Sequence, residues 1–173
     1  MIVSFEKCEF TGKKIHAFEI SMELSETDRK ILRVVQKDAR LTKNEIAEAT
    51  NTSTSSCWRR LQALEQNGTI QRYEARLDAE ALGLSFSALA MVSLTRHDNK
   101  AVEEITRAIG IRKEVLQVFS ITGDADFLLR VVVKDMVEYN AFLNDFLFRQ
   151  ACVVKVNTNV VMATIKDTAE LPI

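Results

Sequence analysis

Two groups of side chains in this 173-residue chain could do chemistry. The first is Thr54, Ser55, Ser56, Arg59 and Arg60, short hydroxyls followed at once by two guanidinium groups. Short hydroxyl side chains let a backbone come close to base edges, and an arginine fork matches phosphate oxygens or the outer edge of guanine. Arg72 and Arg76 follow on one side of an alternating segment, placed to extend a phosphate-contacting surface. The second group is Thr122-Gly123-Asp124-Ala125-Asp126, a turn-forming run with two carboxylates. By composition it is a hairpin turn, and a lone Asp-x-Asp is too little to hold a metal.

Other chemistries are poorly provided for. Histidine occurs only as His16 and His97, and Cys8, Cys57 and Cys152 lie far apart without metal-ligand spacing or a histidine beside them. A disulfide scaffold, a zinc module and a cysteine nucleophile are therefore excluded, and no glycine-rich phosphate loop is present. Cys57 falls in the apolar stripe of a helix and reads as a small core residue. The chain is expected to be no enzyme and to need no cofactor.

The elements that must position the two groups can be read from caps, glycines and periodicity. Ser25-Glu26-Thr27-Asp28 is a capping box, after which Ile31, Leu32 and Val35 share a helix face. Thr42-Lys43-Asn44-Glu45 is a second box, opening a short helix expected to bury Ile46 and Ala49. Asn51-Thr52-Ser53 forms a polar turn, with Asn51 suited to a left-handed exit and Ser53 to capping a third helix. That helix turns Cys57, Leu61 and Leu64 inward, ends at Gly68, and leaves the hydroxyls and arginines outward. Trp58 reads as a packing residue. Past Gly68 the period becomes 2: Tyr73, Ala75 and Leu77 alternate with Arg72, Glu74 and Arg76, as in a half-exposed strand forming a wing. Helix, turn, capped helix and basic wing together predict a DNA-binding helix-turn-helix over residues 24–78.

Residues 79–84 are expected to be a connector. From residue 85 to 167 the order is strand, helix, strand, strand, helix, strand: Phe86–Thr95, Asn99–Ile109, Val115–Ile121, Phe127–Val133, a helix capped by Asp135 burying Tyr139, Phe142, Leu143 and Phe146, and Val153–Ile165. This βαββαβ order is the ferredoxin-like split unit. The predicted fold class is thus α+β, with an arm over 1–23 that contains one strand and a tail over 168–173.

Apolar residues make up 47% and charged residues 27% of the chain. That composition is ordinary for a globular protein, and no stretch is as long and uncharged as a membrane span. Glu6, Lys7 and Glu9 interrupt the apolar region that a signal peptide would need, so a cytoplasmic location is expected. The formal net charge of −1 conceals an asymmetry, +2 over Ser25–Asp78 against −2 from Ala79 onward. A mildly basic first half suits an anionic partner.

Several segments carry a resemblance to a known family. Leu24-Ser25-Glu26-Thr27-Asp28-Arg29-Lys30-Ile31-Leu32, Ser53-Thr54-Ser55-Ser56-Cys57-Trp58-Arg59-Arg60-Leu61 and Leu64-Glu65-Gln66-Asn67-Gly68-Thr69-Ile70 carry it in the first half. Thr122-Gly123-Asp124-Ala125-Asp126-Phe127-Leu128-Leu129 and Val160-Val161-Met162 carry it in the second. In that order and spacing the chain resembles the Lrp/AsnC (leucine-responsive, feast/famine) family of prokaryotic transcription factors. The resemblance implies a winged helix-turn-helix joined to a ferredoxin-like ligand-sensing domain. It also implies a homodimer assembling further, to an octamer, and a cytoplasmic, nucleoid-associated protein on double-stranded DNA. The effector it implies is an amino acid, held by Thr122, Gly123, Asp124 and Asp126. Three features depart from the family pattern: the long arm, Asn51 where a glycine is common, and Gln150-Ala151-Cys152 in place of a frequent Pro-Gly. The competing reading is a protein-interaction adaptor that uses both domains for assembly without DNA.

Overall fold

A computed structural model describes residues 24–95 and 99–173. The arm expected over 1–23, with its strand, and the neighbourhood of His97 lie outside the described residues. The chain divides into two compact units, the first running to Arg76 and including Lys166–Ile173, the second Leu77–Ile165.

In the first unit both capping boxes form. The Asp28 N–H donates to Ser25 Oγ (3.2 Å) and the Ser25 N–H to Asp28 Oδ2 (3.1 Å), which starts α1, Glu26–Val35. Thr42 and Glu45 repeat the exchange at α2, Lys43–Ala49. Each box satisfies helix-end N–H groups that have no partner within the helix. Asn51 sits at φ 52°, so the chain leaves α2 through a left-handed residue, and Ser53 then caps α3, Thr54–Gln66. The three helices bury Ile31, Leu32, Val35, Ile46, Ala47, Cys57, Leu61 and Leu64 in one core, with Trp58, Ile70 and Ile173 packed against it. One expectation is corrected here. Ala47 rather than Ala49 is buried in α2, because the inward row that starts at Ile46 passes through Ala47 and Thr50, whose hydroxyl donates back to the Ile46 carbonyl (2.8 Å).

The expected wing strand is also corrected, since residues 71–78 carry no strand. Alternation gives a segment two faces, but a strand also needs a neighbour to bond, and none pairs with it among the described residues. The segment is tied down instead by Tyr73, whose hydroxyl donates to Glu65 of α3 (2.7 Å). Nor does the end of the chain hang free. Residues 166–173 return to the first unit, where the Gln36 side-chain amide bonds the Leu171 backbone in both directions (3.1 and 3.0 Å) and Arg33 Nε donates to the Ile173 carbonyl (2.6 Å).

The second unit has the predicted order: β1 Phe86–Leu94, α4 Asn99–Gly110, β2 Val115–Ser120, β3 Phe127–Val133, α5 Met136–Asp145 and β4 Val153–Val160. The strands form one antiparallel sheet in the order β2-β3-β1-β4. Ala88, Ala90 and Val92 of β1 and Phe127, Leu129 and Val131 of β3 share its buried face with Ile105, Ile109, Tyr139 and Phe142 of the helices. Tyr139 closes this core with a bond between its hydroxyl and that of Thr158 (2.7 Å). Leu89, Met91, Leu128 and Phe119 occupy adjoining register positions on the other face, and Phe119 is 48% exposed. The last strand is shorter than Val153–Ile165. Beyond the bond from Val161 N–H to the Ser87 carbonyl, β1 has almost run out and offers no further partner. Leu143 and Phe146 are only half-buried, and the deepest side chain there is Leu147, in a short 3-10 turn that periodicity did not single out.

Candidate nucleic-acid interface and ligand loop

The start of α3 carries the first group of side chains. Thr54 and Ser55 are exposed, and Ser56 is half-buried with its N–H held by the cap Ser53 (3.3 Å). Thr54 Oγ1 donates to Asn44 Oδ1 of α2 (3.1 Å). Cys57 points into the core, where burial pushes its thiol up and away from the reactive thiolate. Trp58 is half-buried against that core, as expected, and its ring also carries Lys43, whose Nζ lies 3.0 Å from the ring centroid. Arg59 is exposed and has no hydrogen bond or ion pair among the described residues. Its charge is available to an anion.

Arg60 does not share that freedom, which corrects its expected outward placement. Its Nη1 donates to Asp28 Oδ1 (2.9 Å) and to Ser25 Oγ (3.0 Å), and its Nε is buried without an acceptor. One carboxylate thus caps α1 and holds α3 beside it. Burial alone would raise the Asp28 pKa, but the Ser25 and Arg60 hydrogen bonds and the Arg60 charge outweigh it and hold the carboxyl below its ordinary range. Arg72 pairs with Glu74, and Arg76 pairs with Asp167 and donates to its carbonyl. Both are exposed ion pairs of small worth, so either arginine could leave its partner for a phosphate at little cost. Sequence reasoning missed the contacts that Lys43 and Asn44 make with α3. The only signal for the two residues was their place in a capping box, which says nothing about a neighbour across the turn.

The second group forms the connection between β2 and β3. Gly123 has φ 117°, a conformation that a side chain would strain, and the exposed Thr122, Gly123 and Asp124 form the tip. Ser93 Oγ donates to the Asp124 carbonyl (3.1 Å), while the Asp124 carboxylate has no partner among the described residues. Asp126 is placed differently. Its Oδ2 accepts from the Leu94 N–H (2.8 Å) and its N–H donates to the Val92 carbonyl (3.0 Å), fastening the loop to the end of β1. The tip is therefore a polar prominence tied at its base to the end of β1.

These two sites lie in segments with known relatives. Residues 24–71 match the family profile described as winged helix-turn-helix DNA-binding, and residues 87–171 match that of the Lrp/AsnC ligand binding domain. The chain belongs to the Lrp/AsnC family. Among curated members, an uncharacterized HTH-type transcriptional regulator of Sinorhizobium fredii is 36% identical over 155 residues, 90% of this chain and 92% of its own. The DNA-binding transcriptional activator DecR of Escherichia coli is 33% identical, covering 87% of this chain and 99% of its own. Among solved Lrp/AsnC-like structures, a transcriptional regulator from Neisseria meningitidis in complex with L-methionine superimposes with a TM-score of 0.83 at 36% identity, over 86% of this chain and 96% of that one. The winged helix-turn-helix match ends at residue 71, so the missing wing strand falls where that profile stops. No helix among the described residues is long and apolar enough to cross a membrane.

Proposed function

We propose that this Lrp/AsnC protein is a cytoplasmic, nucleoid-associated regulator of transcription that binds specific double-stranded DNA and has no catalytic activity. Its DNA affinity or its assembly responds to a free amino acid. The observation that carries the reading is the exposed start of α3, where Thr54, Ser55 and an unpartnered Arg59 stand together on a capped helix. Arg72 and Arg76, held only in exposed pairs, extend the surface toward phosphates. Arg60 belongs to the scaffold beneath it.

The amino-acid effector is supported by the Neisseria relative solved with L-methionine. In this chain the Asp124 carboxylate suits an ammonium group, and Thr122 with the backbone at Gly123 suits a carboxylate. Asp126 serves by fixing the loop. The apolar positions Leu89, Met91, Leu128 and Phe119 suit a second copy of the chain laid sheet to sheet, and such dimers can assemble to an octamer. A ligand that favours one assembly shifts the population toward it, and because several α3 helices hold DNA at once, their spacing sets the avidity of the particle.

The test is binding to duplex DNA from upstream of the protein's own gene over a salt series, with and without a pool of amino acids. The expected result is affinity that falls about a thousandfold or more between 50 and 200 mM salt, as about six phosphate contacts require, and that shifts with the pool. Absence of binding at low salt would favour the protein-interaction adaptor. Salt-steep binding indifferent to every amino acid would retain the DNA reading and remove the effector.

A further inference from the structure

Resting on the DNA-binding reading, we propose that Lys43 is a further DNA-contacting cation of the α3 surface and that Trp58 is the residue that positions it. Most arginines of the first unit are already engaged by oxygen. Arg33 is held by Glu26 and the Ile173 carbonyl, Arg40 by Asp38, Arg60 by Asp28, Arg72 by Glu74 and Arg76 by Asp167. Lys43 is held differently: its only partner among the described residues is the face of Trp58, 3.0 Å from Nζ to ring centroid. An aromatic face attracts an ammonium through its quadrupole but carries no net charge. The lysine is held in place while its full positive charge stays uncompensated, so a phosphate oxygen can approach without displacing a carboxylate.

The ring also settles where that charge stands. Trp58 is the residue before Arg59 and follows Thr54 by one helical turn, so a group on its face lies beside the exposed hydroxyls. An independent contact fixes the same edge, since Asn44, the neighbour of Lys43, accepts the hydroxyl proton of Thr54 (3.1 Å). Residues 43 and 44 are thus joined to 58 and 54 by two separate interactions. A free lysine has rotamer entropy to lose on binding, and stacking removes part of that loss beforehand.

The experiment measures DNA affinity against salt for the full chain and for Lys43→Gln, Lys43→Arg and Trp58→Phe, with circular dichroism confirming that each variant is folded. Lys43→Gln is expected to weaken binding roughly tenfold at 0.1 M salt and to lower the log–log salt slope by about one, the signature of one lost phosphate contact. Lys43→Arg should restore the slope, which a merely structural lysine would not do. Trp58→Phe should weaken binding while leaving the slope intact, because the cation remains but is held less firmly. Trp58 is the only tryptophan, so its emission reports directly on the pair. DNA should change that emission in the parent protein and much less in Lys43→Gln. A parent protein that binds DNA, with Lys43→Gln unchanged in affinity and slope, overturns the inference alone. A parent protein that binds no DNA overturns it together with the function it rests on. Trp58→Phe binding as tightly as the parent overturns the positioning role.

Discussion

Arg59 and Arg60 are adjacent, identical in chemistry and opposite in task. The helix turns one outward without a partner and sets the other against the capping box of α1. Arg59→Ala should therefore cost about 1–3 kcal/mol of DNA affinity and leave the melting temperature unchanged. Arg60→Ala should lower stability by about 1–3 kcal/mol, because the partly buried Asp28 carboxylate loses a charged donor. DNA titrations and thermal melts of the two variants, run side by side, check the contrast. Asp28 adds a pH dependence with a definite sign. Its folded pKa lies below 3.8, so its contribution is fully present above that value and is lost as pH falls through the lower folded one. Denaturant unfolding along an acid series should show this loss in the parent protein and not in Asp28→Asn. The Arg60–Asp28 pair was not legible in the chain, because the two partners stand 32 residues apart and sequence periodicity reaches only one or two helical turns. What was legible was the exposed hydroxyl start of the helix, which depends on local spacing alone.

At the scale of elements, the readable features were those whose cause lies within a few residues. Two capping boxes, a serine cap and the left-handed turn at Asn51 all formed where residue types demanded them. A non-glycine residue in the left-handed region costs about 1–2 kcal/mol unless, as with asparagine, its side chain tolerates it. Asn51→Val should accordingly lower the stability of the first unit by about that amount, while Asn51→Gly should stay within about 0.5 kcal/mol of the parent. Chemical denaturation of the three proteins decides it. The features misread were strand limits, because a strand ends where its neighbour ends. The alternation of Tyr73, Ala75 and Leu77 produced no strand without a partner, and β4 stopped at Val160 opposite the start of β1. In α2 a single apolar anchor left the burial row ambiguous between Ala47 and Ala49, and Thr50 settled it through its bond to the Ile46 carbonyl.

For the whole molecule, the α+β class was legible because the period changes from 3.6 to 2 and the strand–helix order is distinctive. The sheet face bearing Met91 and Phe119 was less so, since a half-exposed strand reads alike whether its far side meets water or another copy. Phe119→Glu together with Met91→Glu should convert an assembled particle to monomers, each unit keeping its circular dichroism, as light scattering would show. The loop between β2 and β3, by contrast, reads as no more than a turn without the family likeness.

The return of residues 166–173 to the first unit has a consequence for how the protein is made. A chain emerging from the ribosome ordinarily folds its leading domain first. Here the helix-turn-helix is encoded ahead of the sheet, yet Ile173 packs against its core and Gln36 and Arg33 hold the strap that brings it there. The three helices can gather early, but they wait on the order of ten seconds of synthesis for the last pieces of their own packing. The DNA-binding unit is thus begun before the sheet and completed only after it, and a nascent chain broken off inside the sheet leaves it incomplete.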